Sequence, residues 1–250
     1  MKFAICIYGQ PRKYKEGYKL IKDFMDINKE HTFEIYFHCW IDDNIIFPYS
    51  PYRNIPIKDL QIEDSSIVTN DLLNLYKPIK YVFEKPIDNS KHDIKNIKDS
   101  LMYKNSPYVQ KKNIFNFLSQ IYSRNKVRNL LNESINNGNK NYDIIISTRF
   151  DGYCFPEKFY MDNIDLNHCN LSSKHLPRVV FPGDFIMAPT KLFLKWYNLY
   201  NNIIHIMNNK NLKNKIESYN EHYMFNIEEY LLLSYFYCDY NLENIVYNSS

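Results

Sequence analysis

The residues whose types and spacing first suggest chemistry are Arg149 and Asp151, which follow the uncharged run 144–147. Such a run is typical of a strand that is buried on both faces of a parallel sheet. If the chain stays extended, two side chains at this spacing point the same way. A cation suited to phosphate would then lie beside a carboxylate suited to a metal or a hydroxyl. An Arg–Asp pair that closes a surface turn explains these two residues equally well.

The start of the chain favours the functional interpretation. Residues 2–8 predict a buried strand that leads directly into Gly9, Gln10 and Arg12. Gly9 permits a sharp turn or a close approach of the backbone to a ligand. Arg12 precedes a predicted amphipathic helix, whose free N–H groups and dipole favour an anion. This arrangement indicates a diphosphate site, although it is neither the G-x-G-x-x-G fingerprint nor a P-loop.

The elements that must position these residues alternate between strand and helix, which is typical of an α/β sheet. Strands are predicted at 2–8, 32–40, 80–84, from 144, and at 170–173, 179–188 and 244–247. Helices are predicted after residue 12 and at 71–76, 110–136 and 192–207, with a last one around 231–235. Residues 44–70 are expected to be loop-rich, and residues 87–107 are expected to form an exposed connection. The first 152 residues therefore predict a doubly wound α/β unit.

Composition narrows the class of protein. A chain of 250 residues suffices for one domain with a substantial core, and a net charge of +3 gives no basic signal for nucleic acid or anionic membrane. The five cysteines are scattered and never form Cys-x-x-Cys, which argues against disulfides and structural zinc. There is no apolar run of about 18 residues and no signal-peptide core. We therefore expect a soluble, cytoplasmic protein without a transmembrane segment.

His38 and Trp40 end the second predicted strand. A histidine bonded within the protein is favoured over a metal ligand, because no partner lies at ligand spacing. Trp40 suits stacking on a base or a sugar, although a core position is the commoner role of tryptophan.

Taken in order, these segments resemble a group of GT-A-fold glycosyltransferases found among bacterial surface-polysaccharide genes and large DNA viruses. The resemblance rests on residues 7–12 (IYGQPR), 38–40 (HCW) and 142–151 (YDIIISTRFD), with 182–185 (PGDF) and 220–221 (NE) also fitting. It implies a GT-A-like, Rossmann-like mixed sheet flanked by helices in a single domain, 1–250. Residues 1–152 would form the nucleotide-sugar-binding half and residues 153–250 the acceptor-side half. The implied enzyme moves a sugar from a nucleoside-diphosphate donor, with UDP-sugars favoured, to a glycan or another hydroxyl acceptor.

The resemblance also implies a donor-binding pocket and a metal. The pocket would contain Tyr8, Gly9, Gln10, Arg12, His38, Trp40, Arg149 and Asp151. Asp151 would take the last position of an Asp-x-Asp motif, which usually holds Mn²⁺ or Mg²⁺ against the diphosphate. Arg149 replaces the first acid of that motif, so the chain departs from the pattern. Either Arg149 neutralises the diphosphate itself, or Asp151 holds a metal together with His175, Asp184 or His222, of which we predict His222.

Catalytic roles are predicted for Arg149, which would stabilise the leaving group, and for Asp184 or Glu221 as the base that activates the acceptor. Asp184 is equally compatible with a turn-forming role and Glu221 with a favourable position at a helix start.

Two other functions stay open. One is a nucleotide-sugar-binding or nucleotidyltransferase-like protein, against which the content of only 5 Gly weighs. The other is a non-catalytic domain whose tyrosine-rich surface binds glycans or protein.

Overall fold

The computed structural model describes residues 1–42, 44–46, 62–86, 94–105, 114–138, 140–152, 165–172, 185–219, 227–240 and 245–248. Its strands are β1 (Lys2–Gly9), β2 (Thr32–Trp40), β3 (Asn44–Ile46), β4 (Ile62–Asp64), β5 (Lys80–Glu84), β6 (Ile144–Arg149), β7 (Cys169–Ser172), β8 (Phe185–Pro189) and β9 (Ile245–Asn248). Its helices are α1 (Tyr14–Ile27), α2 (Ser65–Tyr76), α3 (Ile94–Asp99), α4 (Leu101–Asn105), α5 (Ile114–Gly138), α6 (Thr190–Trp196), α7 (Ile203–Met207), α8 (Lys210–Tyr219) and α9 (Ile227–Tyr237). None of the helices described is both long and apolar enough to cross a membrane.

The main sheet joins strands from both halves of the chain in the order β5-β2-β1-β6-β8-β7-β9. Strands β5, β2, β1 and β6 are parallel, β8 is antiparallel to both of its neighbours, and β9 is parallel to β7. Strands β3 and β4 form a separate antiparallel pair. This topology confirms the predicted fold class, an α/β protein whose mixed sheet is flanked by helices.

Strand β1 lies in the middle of the parallel part and is buried on both faces. Its side chains alternate between two core clusters, because successive residues of a strand point to opposite faces. Phe3, Ile5 and Ile7 pack with residues of α1 and α2. Ala4, Cys6 and Tyr8 pack with residues of α5, α6, α7 and α9. The apolar character of every position from 3 to 8 follows from this double burial.

Two predictions for the first half of the chain were wrong. Helix α2 begins at Ser65 rather than at residue 71, because the Asp64 side chain accepts a hydrogen bond from the Ser66 N–H at 2.7 Å and caps the helix. The segment 87–107 is not simply an exposed connection, since α3 and α4 lie within it. Ile97 and Met102 on these two short helices are buried in the core.

The prediction of a single helix at 192–207 was also wrong, because the structure has two helices, α6 and α7, with a break between them. Three asparagines occupy the break, at 198, 201 and 202. Asparagine side chains compete with the helical backbone for hydrogen bonds, and here the Asn201 amide donates to the Asn198 side chain at 2.8 Å.

At the amino ends of the parallel strands, the Glu34 carboxylate joins β1, β2 and the segment before β6. Lys140 Nζ lies 2.8 Å and Lys2 Nζ 3.1 Å from the carboxylate, and the Tyr142 hydroxyl also donates to it. Burial alone would raise the pKa of Glu34, but the hydrogen bonds from Lys140, Tyr142 and Lys2 outweigh it and lower the pKa from 4.5 to about 2. The charged form of Glu34 is therefore favoured by folding.

We expect Glu34→Gln to flatten the acid side of the stability curve. The folded-state pKa is depressed, so the contribution of Glu34 is present above pH 4.5 and is lost as the pH falls toward 2. That contribution amounts to at most about 3 kcal/mol near neutral pH. Urea unfolding of both proteins between pH 3 and pH 7 measures it. Glu133→Gln, which changes a 57% exposed partner of Lys80, is the control and should follow the wild type. An unchanged acid-side slope in Glu34→Gln would contradict the assignment.

Candidate functional site

The carboxyl ends of the four parallel strands lie at one edge of the sheet. They are Gly9 of β1, Trp40 of β2, Glu84 of β5 and Arg149 of β6. The chain passes from β1 to β2 on one side, whereas β6 lies on the other side of β1, so the strand order reverses between β1 and β6. In open α/β sheets, ligands bind in the crevice outside such a reversal.

Arg149 and Asp151 lie at this crevice and contact each other. Strand β6 ends at Arg149, and the Gly152 N–H donates to the Arg149 carbonyl at 3.2 Å, which closes a turn. The guanidinium of Arg149 forms an ion pair with the Asp151 carboxylate. The Arg149 side chain is 34% exposed and that of Asp151 only 14%. The pair therefore closes a turn, as the simpler interpretation predicted, but its carboxylate is largely buried.

Arg12, which follows strand β1, lies at the same crevice. Its Nε and Nη2 donate to the Gln10 side-chain carbonyl at 2.8 and 2.5 Å, and its backbone N–H donates to the Gln10 carbonyl at 2.8 Å. The pKa of Arg12 is lowered first by burial and then by the charge of Arg149, while Asp151 opposes both. Among the described residues, Arg12, Arg149 and Asp151 thus come together at the crevice, and these three groups carry an excess of positive charge that suits an anion.

A close backbone contact fixes helix α1 against the turn after β6, and these are the two segments that border the crevice. A Cβ atom placed on Gly17 of α1 would lie 1.8 Å from the Phe150 carbonyl oxygen, so only glycine fits there. The Tyr76 hydroxyl donates to the Tyr14 carbonyl at 2.8 Å and lies 3.4 Å from the Phe150 carbonyl. Helix α1 and the turn after β6 are therefore held together behind Arg12.

Helix α5 supports the strand ends from the opposite face through Tyr122, Ser123 and Arg124, which sequence reasoning missed. The Tyr122 hydroxyl donates to the Glu84 carboxylate at 3.0 Å, and its ring stacks on Trp40 with centroids 5.4 Å apart. Ser123 Oγ accepts from the Gly9 N–H at 2.9 Å.

Arg124 is fully buried, with its guanidinium 4.0 Å from the Tyr8 ring centroid. It also donates to the Tyr197 hydroxyl at 2.9 Å. The only signal for these three residues was a polar run, 122–126, inside a helix that is otherwise apolar on one face. Their partners are distant in the sequence, so the run does not reveal them.

The structure brings Gly9, Gln10, Arg12, Arg149 and Asp151 together at the carboxyl ends of β1 and β6, and their role in binding a nucleotide-sugar stays a prediction. It places Tyr8, His38 and Trp40 behind this surface, at 1%, 0% and 6% exposure. Their role in binding the donor stays a prediction, and their contacts give them a supporting position. Asp184, Glu221, His222 and His175 lie outside the described residues, so their predicted roles stay predictions.

The described residues do not form a metal site by themselves. No group of three or more His, Cys, Asp or Glu side chains within them is arranged to hold a metal ion. The Asp151 carboxylate, the predicted ligand, is bound by a guanidinium instead. Binding of Mn²⁺ or Mg²⁺ by Asp151 and His222 stays a prediction.

Comparisons with known proteins give a distant structural likeness. No family model and no curated protein matches the sequence. Among solved structures, the galactosyltransferase LgtC in complex with donor and acceptor sugar analogues matches with a TM-score of 0.40 at 8% identity, over 99% of this chain and 73% of that chain. A structure of an active-site mutant of LgtC matches with a TM-score of 0.41 at 9% identity, over 99% of this chain and 72% of that chain.

We expect Gly17→Ala to destabilise the protein by more than about 2 kcal/mol, because its Cβ would overlap backbone that has no free rotation to avoid it. Urea unfolding measures the loss. Gly138→Ala is the matched control, since its Cβ would lie 3.7 Å from the flexible Lys140 side chain and the helix propensity improves. Equal stability of the two variants would show that α1 does not pack against the turn as described.

Proposed function

We propose that the protein is a glycosyltransferase that moves a sugar from a nucleoside-diphosphate donor, with UDP-sugars favoured, to a hydroxyl of a glycan or another acceptor. The observation that carries this proposal is the cluster of Arg12, Arg149 and Asp151 at the point where the strand order reverses. Nucleotide ligands commonly bind at such a point, and guanidinium groups suit their phosphates.

The proposed role of the two arginines is to bind the diphosphate and stabilise it as a leaving group. The diphosphate gains negative charge as the bond to the sugar breaks, so fixed cations aimed at it lower the barrier. The Gln10 side-chain carbonyl accepts from the Nε and one Nη of Arg12. The rest of the Arg12 guanidinium can donate to other acceptors. Asp151 holds Arg149 through an ion pair with its guanidinium.

In the proposed reaction, the bond between the anomeric carbon and the diphosphate oxygen breaks, and its electron pair leaves with the diphosphate. The acceptor hydroxyl oxygen forms the new bond to that carbon and transfers its proton to a carboxylate, for which Asp184 and Glu221 are the proposed candidates. Residues 1–152 would bind the donor and residues 153–250 would contribute the acceptor side. If a divalent metal takes part, Asp151 and His222 would hold it, and it would supply further positive charge to the leaving diphosphate.

We expect one family of nucleotide diphosphates to raise the melting temperature. A ligand at 100 times its Kd adds about 2.7 kcal/mol of stability, which corresponds to a rise on the order of 5 °C for a chain of this size. UDP, GDP and dTDP, with the monophosphate CMP as a contrast, and the corresponding nucleotide-sugars are compared with the parent nucleosides by thermal shift, each with and without Mn²⁺. A rise that needs no Mn²⁺ favours the arginines, and one that requires it favours a metal on Asp151.

The nucleosides are the control in that experiment, since they lack the phosphates that Arg12 and Arg149 are proposed to bind. A flat response to every nucleotide by folded protein would contradict the proposal and favour a non-catalytic binding domain. Binding without sugar transfer to any acceptor would favour a nucleotide-sugar-binding protein.

We expect Arg149→Gln to lower the turnover of donor hydrolysis or transfer by roughly 100-fold, because it removes a fixed donor from the leaving group. Arg149→Lys keeps the charge without the planar fork and should lie between this variant and the wild type. Initial rates at saturating donor measure the effect. Lys19→Gln removes the same charge from the exposed face of α1 and should retain full activity. Equal rates in Arg149→Gln and Lys19→Gln would remove Arg149 from the mechanism.

A further inference from the structure

We propose that Glu84, His38 and Ser123 form a buried hydrogen-bond chain that fixes the Gly9 turn, and that His38 is thereby a positioning residue for the donor site. The consequence for donor binding rests on the proposed function, whereas the chain itself rests on the contacts of these residues. The chain links the ends of β5, β2 and β1 through one helix, α5.

The hydrogen-bond directions follow from the two ends of the chain. The Gly9 N–H donates to Ser123 Oγ at 2.9 Å, and Ser123 Oγ lies 2.6 Å from His38 Nδ1. His38 Nε2 lies 3.4 Å from the Glu84 carboxylate, which only accepts hydrogen bonds when it is ionised. The proton of neutral His38 is therefore assigned to Nε2. Nδ1 then accepts from the Ser123 hydroxyl, whose oxygen is left to accept from Gly9.

Gly9 has a backbone conformation that requires such a restraint. Its φ of +103° is accessible to glycine and rarely to other residues, and glycine is also the residue with the most freedom to leave it. A Cβ on Gly9 would meet no atom of the described residues within 4 Å. The N–H is bound from within and no described side chain covers the position of the Cβ, which is suited to a ligand that lies directly on the backbone.

The His38 and Ser123 part of the hydrogen-bond chain is shielded from water by neighbouring side chains. The His38 and Ser123 side chains are fully buried. The Trp40 ring packs edge-on against His38 at 4.5 Å between centroids, and the Tyr122 ring packs against it at 5.9 Å. Hydrogen bonds shielded in this way hold their geometry more strictly than exposed ones, because no water can replace a partner.

The charge state of His38 decides whether the chain is intact. Among the described residues, the titratable and charged groups that face His38 are Glu84 from β5 and Tyr122 and Lys126 from α5. Burial lowers the pKa of His38 from 6.5, against the opposing effect of Glu84, so the ring is neutral at pH 7. A proton on Nδ1 would make it a donor and force the Ser123 hydroxyl to find another acceptor. Acidification below pH 6.5 therefore weakens the restraint on Gly9.

Three variants separate the links of the chain. Ser123→Ala removes only the oxygen of the central hydroxyl and leaves the rest of the side chain unchanged. His38→Asn keeps an acceptor near the position of Nδ1 but loses the link to Glu84. His38→Gln places its amide near the position of Nε2 and loses the link to Ser123. If His38 acts through Ser123, the Asn variant should behave like the wild type and the Gln variant like Ser123→Ala.

The first measurement is made on the Gly9 amide without any ligand. Tyr8–Gly9 is the one Tyr–Gly pair in the sequence, so labelling with ¹³C-carbonyl tyrosine and ¹⁵N-glycine selects its signal. We expect hydrogen exchange at Gly9 to be about tenfold faster in Ser123→Ala and His38→Gln, and little changed in His38→Asn. In the wild type this signal should shift as the pH falls below 6.5, and in His38→Asn it should not. Unchanged exchange in Ser123→Ala would overturn the proposal.

The second measurement is the affinity for UDP by calorimetry at pH 7.5 and pH 5.5. We expect Ser123→Ala and His38→Gln to bind about tenfold more weakly than the wild type at pH 7.5, and His38→Asn to bind equally well with less dependence on pH. Faster Gly9 exchange with unchanged UDP affinity would overturn the positioning role. A wild-type protein that binds no nucleotide would instead contradict the proposed function, and the Gly9 measurement would still decide whether the chain exists.

Discussion

The backbone contact between Gly17 of α1 and the Phe150 carbonyl is the constraint on which the candidate site depends. It sets how closely the first helix approaches the turn after β6, and these two segments carry Arg12 and Arg149. The absence of a side chain at Gly17 therefore sets the distance between α1 and the turn after β6, although Gly17 itself is buried. Tyr76 reinforces the contact by bonding to backbone on both sides of it. The two arginines are consequently placed by the packing of buried backbone, which deforms less than a surface loop.

Helix α5 completes the support from the other face of the sheet. Tyr122 contacts Glu84 at the end of β5, whereas Ser123 and Arg124 contact Gly9 and Tyr8 at the end of β1. Polar groups are expensive to bury without partners, and here the strand ends and the Tyr197 hydroxyl supply partners for this run inside a core helix. The strand ends are thus fixed from both faces before any ligand binds, which is the arrangement that electrostatic stabilisation of a transition state requires.

The two ends of the parallel strands use charge differently. At the amino ends, Glu34 is matched by Lys2 and Lys140, and the result is an ion-pair cluster that stabilises the fold. At the carboxyl ends, the Asp151 carboxylate attracts both Arg12 and Arg149, while the two guanidinium groups repel each other. Like charges brought together in a half-buried crevice cost stability, and an anionic ligand would offset that cost.

The sequence by itself determined the parallel core and most of the residues that gather at the candidate crevice. Continuous apolar runs identify strands buried on both faces, and polar residues that directly follow such strands must gather at one edge of the sheet. This is why β1, β2, β5 and β6, and with them Arg12, Arg149 and Asp151, were predictable. Only the tertiary structure decided that His38 and Trp40 lie behind the site, that residues 94–105 are helical, and that Tyr122, Ser123 and Arg124 hold the strand ends. The contacts that hold the strand ends join residues 38 to 116 positions apart in the chain, and local periodicity carries no information about such partners.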